Sequence, residues 1–115
     1  MAETQLIELF TLHFQAKPET LWQALKQALM ALGTTTLRDI DEQRMRASFT
    51  TSMTLTSWGE YMVATVEQEQ GGTLIRVHGQ PLNPSLLVLT TKWGEELHAK
   101  QIEQELKRAV EKALR

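Results

Sequence analysis

The chain contains no cysteine, which excludes disulfides, thiolate metal sites and a cysteine nucleophile. No stretch approaches the 18 or more consecutive apolar residues of a membrane-spanning helix. An excess of charge of one sign is missing too: 12 Lys and Arg stand against 14 Asp and Glu, a balance that argues against attraction to nucleic-acid backbones. Residues Met1 to Gln5 lack the basic start and apolar core of a secretory signal, so a cytoplasmic protein without membrane attachment is expected. No linker, low-complexity segment or disordered tail is visible. Catalytic signatures are equally scarce. Gly71-Gly72 lies between strand candidates rather than ahead of a helix, so no phosphate loop is present. No nucleophile stands at a readable spacing from a base, and no cofactor is implied, so the reading leans away from an enzyme.

What is present fits one α+β domain of 115 residues, long enough to bury a single core without covalent staples. Phe10, Leu12 and Phe14 alternate with Thr11, His13 and Gln15, the period of a half-buried strand over Leu6 to Gln15. Ala16-Lys17-Pro18 ends it, and Pro18 suits the first turn of a helix, with Glu19 at the positive pole. Leu21, Leu25, Ala28, Leu29 and Leu32 make its apolar stripe, and Gly33 stands where a left-handed cap is expected.

The period then changes to two. Strands are expected at Thr35 to Ile40, Arg44 to Ser52, Glu60 to Gln68 and Thr73 to Gln80. Asp41-Glu42-Gln43 and Gln70-Gly71-Gly72 form hairpin turns, so the strands make an antiparallel meander. Met45, Ala47, Phe49 and Thr51 share one face, leaving Arg44, Arg46, Arg76 and His78 toward the other. After Pro81 to Pro84, the run Leu86-Leu87-Val88-Leu89 is favoured as a short strand, with a helix opened by Asn83 as the alternative. A long C-terminal helix from about Glu95 to Leu114 carries Ala99, Ile102, Leu106, Ala109, Val110 and Ala113 on one stripe, which must dock on the sheet.

The stretch Phe14-Gln15-Ala16-Lys17-Pro18-Glu19-Thr20-Leu21-Trp22-Gln23-Ala24-Leu25 resembles the opening of START or polyketide-cyclase-like (helix-grip) domains. There a first strand passes through a short Ala/Pro turn into a helix bearing an aliphatic-Trp pair. The later strands and long C-terminal helix follow a similar order. This chain is shorter than typical members and has a single first helix where many have a broken pair, which reduces any internal cavity. One half of the TATA-binding protein has almost the same β-α-β4-α order, a likeness of topology alone.

Three histidines, His13, His78 and His98, lack metal-ligand spacing and read as solvated or hydrogen-bonded side chains. Glu95 and Glu96 beside His98 read as a solvated first helical turn. Lys100, Lys107, Arg108, Lys112 and Arg115 read as a helix surface, with Glu96 to Lys100, Glu103 to Lys107 and Glu111 to Arg115 at the favourable i, i+4 spacing. Trp22, Trp58 and Trp93 are core candidates by default, yet Trp58 and Trp93 each precede a glycine near a loop and can line a pocket mouth. The resemblance implies a domain holding a small apolar or amphipathic ligand between sheet and C-terminal helix, with Trp93, Trp58, Phe49, Met62 and Ile102 as its lining. The alternative is a filled core in a homodimerising or accessory interaction domain.

Overall fold

The computed structural model describes residues 6–51, 60–81 and 88–115, the side chains of 81–99 excepted. Its elements are β1 (Ile7–Phe14), α1 (Pro18–Ala31), β2 (Thr35–Asp41), β3 (Arg46–Thr51), β4 (Glu60–Glu69), β5 (Gly72–Pro81) and α2 (Val88–Leu114). The five strands form one antiparallel sheet in the order β1-β5-β4-β3-β2. Consecutive strands β2 to β5 make a meander, and β1 returns to the far edge beside β5.

Strand periodicity sorts the side chains into two faces. Inward from the three central strands point Ala47 and Phe49, Met62, Ala64 and Val66, and Ile75 and Val77, all nearly inaccessible to solvent. Phe10 and Leu12 extend this face along β1. Against it lies α1, whose Leu21, Leu25, Ala28 and Leu29 are buried at helical spacing. The described part of α2 packs mainly on α1 and also touches β1, inserting Ile102, Leu106 and Val110 at i, i+4 and i+8. One apolar cluster therefore joins both helices to the sheet.

Both outer strands are irregular. In β1 the pairing with β5 skips a residue between Glu8 and Phe10, so Leu9 and Phe10 both lean on the core. Gly79 makes room for this: a Cβ there would stand 2.7 Å from Leu9 Cδ1 and 3.1 Å from the Tyr61 carbonyl oxygen. In β2 the pairing with β3 skips Arg38 between Leu37 and Asp39. A bulge of this kind turns the following residues to the opposite face.

Local chemistry explains most of the element ends. Pro18 opens α1 and Lys17 precedes it in an extended conformation. The helix closes without a left-handed residue: Leu32 is extended, its N–H still reaches the Ala28 carbonyl at 3.0 Å, and the Thr35 hydroxyl donates to the Leu29 carbonyl at 2.9 Å. Gly33 therefore does not form the expected left-handed cap, because side chain and backbone already satisfy those carbonyls. Gly71, at φ 88°, does supply a left-handed turn between β4 and β5.

Two further expectations need correction. Arg44 and Met45 belong to the β2–β3 turn rather than to β3, and Met45 takes φ 49° there, with its carbonyl accepting the Val66 N–H at 2.9 Å. Val88 and Leu89 are the first residues of α2, not part of a strand, while Leu86 and Leu87 lie outside the described residues. Glu95 and Glu96 consequently stand inside the helix, beyond its first turn. Among the described residues, neither Glu103 with Lys107 nor Glu111 with Arg115 closes to an ion pair, as is common for solvated charges on a helix surface. No described helix is long and apolar enough to cross a membrane.

Candidate functional site

The inner face of the sheet brings three of the five candidate residues together. Phe49 and Met62 are direct partners across β3 and β4, and Ile102 belongs to the α2 stripe in the same cluster. Phe49 and Met62 are 0% exposed and Ile102 is 1% exposed. A cavity wide enough for water would leave accessible surface on its lining, so the interior is filled at these three positions. Trp58 lies outside the described residues; Trp93 lies on the α2 backbone, but its side chain is outside them. Trp22, by contrast, is a packing residue of α1. Its Nε1–H donates to Glu42 Oε2 at 2.9 Å, and Lys26 Nζ lies 5.1 Å from its ring centroid.

At one end the apolar inner face carries a polar pair. Glu60 is buried at the start of β4, the Thr51 hydroxyl donates to its Oε1 at 3.0 Å, and the Glu60 N–H donates to Thr51 Oγ1 at 2.8 Å. Among the described residues Glu60 is the sole ionisable side chain that is buried. Residues 52–59, which contain Trp58, run from one member of the pair to the other. Glu60 is also opposite Pro81, the last residue of β5, from which the chain leads on to α2 and Trp93.

The outer face holds a groove of about 790 Å³. Its axis follows a row of ladder partners: Asp39 opposite Ser48, Ser48 opposite Val63, and Val63 opposite His78. Tyr61 extends the floor along β4, and Arg46 stands on the same face of β3 as Ser48. Asp39 reaches this row only because the β2 bulge re-aims it. Sequence alternation places Arg46 and His78 on this face but gives no sign of the bulge, so the constellation escapes it.

Ion pairs engage two of the carboxylates that line the groove, Glu42 and Glu67. Lys26 Nζ donates to Glu42 at 2.6 Å, while Arg76 bridges Glu8 at 2.6 Å and Glu67 at 3.1 Å. The Glu8 contact, then that of Glu67, raises the Arg76 pKa above its ordinary value. Hydrogen bonding from Lys26, then from Trp22, holds the Glu42 carboxyl below its ordinary value of 4.5 against weak desolvation. A depressed carboxylate favours the folded state while ionised. Its contribution is complete above the unfolded-state value and disappears as pH falls through the folded one. A carbon-detected NMR titration should therefore find Glu42 titrating below 4.5, and Lys26→Met should move it back up. An unchanged midpoint in that variant would show that the ammonium does not set it.

His13 and His78 do not converge. His13 is opposite Leu74 and hydrogen-bonds Glu69 at 2.8 Å, whereas His78 lies further along β5 by about 13 Å of strand. The His98 side chain lies outside the described residues.

No family model and no curated protein matches the chain in sequence. Solved structures do match it in shape. Ara h 8.0201 aligns with a TM-score of 0.62 at 14% identity, over 96% of this chain and 97% of its own. TTHA0849 from Thermus thermophilus aligns with a TM-score of 0.59 at 15% identity, over 96% and 97%. The chain has the helix-grip fold. In helix-grip terms, α2 is the long closing helix and α1 is the single helix after the first strand. The pair Glu60 and Thr51 belongs to the inner, helix-facing side of the sheet, while the outer groove lies on the face that the helix-grip helices leave uncovered.

Proposed function

We propose that this domain binds a small apolar or amphipathic molecule between the inner sheet face and the N-terminal part of α2. The buried Glu60–Thr51 pair carries the reading. It sets one ionisable, hydrogen-bonded group at the end of an apolar wall, and small-molecule sites orient an amphipathic guest with few polar groups on such a wall. Phe49 and Met62 are the floor of this space, Ile102 its deep limit, and Trp58 and Trp93 its mouth. Because the floor is filled, entry requires the first turns of α2 to move or the guest to remain at the mouth.

The filled interior at Phe49, Met62 and Ile102 supports a second reading, an interaction or homodimerising domain that works through its surface. A thermal-shift screen of apolar and amphipathic metabolites separates the two. A ligand confined to the native state adds about 2.7 kcal/mol at a hundredfold excess over its dissociation constant. Trp93→Ala should weaken that binding more than it weakens the fold. If no compound shifts the melting temperature and native mass spectrometry finds a concentration-dependent dimer without retained ligand, the interaction domain is the better account.

A further inference from the structure

We infer that the outer groove is a second binding site, separate from the space beneath α2, for a small zwitterion with an apolar side chain such as an amino acid. Ser48 makes the first argument. It lines the groove, its hydroxyl makes no hydrogen bond to a described residue, and that oxygen is not closed off from the groove. A hydroxyl that opens into the groove without a protein partner is available to a guest, which takes the place of solvent there.

The charges make the second argument. Glu42 and Glu67 are already matched by Lys26 and Arg76, and Asp41 faces Arg44 at 3.9 Å. Asp39 and Arg46 remain, and neither forms an ion pair with the other or with any described residue. They occupy diagonal positions of adjacent strands, since Asp39 is opposite Ser48 and Arg46 is two residues before it. Such positions lie roughly 7 to 8 Å apart. An ammonium between Asp39 and the Ser48 hydroxyl, with a carboxylate turned to the Arg46 guanidinium, uses all three groups. The apolar side chain then lies over Val63 and Tyr61.

Shape supports a small guest over a second copy of the chain. A volume of about 790 Å³ lies within the usual range for ligand pockets. Two identical concave faces meeting about a two-fold axis would leave that volume empty.

L-phenylalanine is the probe, with 2-phenylethylamine and 3-phenylpropanoate as analogues that each lack one charge. Calorimetry should show phenylalanine binding about tenfold or more tightly than either analogue, the usual effect of one charge-assisted hydrogen bond. Asp39→Asn should weaken phenylalanine but not 3-phenylpropanoate, and Arg46→Met should weaken phenylalanine but not 2-phenylethylamine. Both side chains are exposed and unpaired among the described residues, so the melting temperature of each variant should match wild type and report an intact fold. Amide shift changes should centre on Ser48, Val63 and His78. Equal affinity for all three probes, unchanged binding in both variants, or absence of phenylalanine binding would overturn the assignment. Shift changes centred instead on Phe49 and Met62 would also overturn it, by placing the guest in the space beneath α2.

Discussion

Phe49→Ala should cost about 3 to 5 kcal/mol of folding stability, the range for removing a buried aromatic ring. The ring is fully buried on β3, with Leu37 opposite it on β2 and Met62 opposite it on β4. Both neighbours belong to strands paired with β3, so the sheet cannot collapse far into the space the ring vacates. Equilibrium urea unfolding measures the loss as a shift of the midpoint at constant slope. A loss under about 1 kcal/mol would contradict a filled interior at this position and would match a ring lining an open pocket.

Leu106→Ala should cost about 2 to 5 kcal/mol, the range for truncating a buried leucine. Leu106 is 0% exposed and lies midway along the α2 stripe between Ile102 and Val110. Nearby, the Thr34 hydroxyl donates to Glu105 at 3.2 Å and ties the α1–β2 connection to α2. Removing the side chain therefore weakens the seat of the whole closing helix. The same urea experiment applies, and a loss below about 0.5 kcal/mol, typical of surface changes, would mean that α2 is not docked through this stripe.

The elements legible in the sequence are those with one unambiguous period. Phe10, Leu12 and Phe14 announce β1, and the leucines from Leu21 to Leu29 announce α1. The start of α2 is not legible. Leu86 to Leu89 has no period, and Thr90, Thr91 and Gly94 are weak helix formers, so the strong stripe begins only near Ala99. The helix nevertheless begins at Val88. The lining residues Phe49, Met62 and Ile102 can be chosen as inward-facing because alternation and helical spacing fix direction. Whether they bound a void or a solid core depends on packing, which no period encodes. The groove requires still more: Asp39, Ser48, Val63 and His78 meet through register across four strands, and one bulge decides that Asp39 joins them.

The interrupted pairing on both outer strands has a consequence for how this sheet meets others. A long, regular, apolar border is a template on which a further strand can hydrogen-bond, the first step toward stacked fibrils. Here one border is broken at Leu9 and the other at Arg38, which also sets an exposed charge beside the gap. A stranger's backbone therefore finds only short lengths of matching donors and acceptors on either side. The sheet stays at its own width, and crowding in concentrated solution does not readily convert it into a seed for polymerisation.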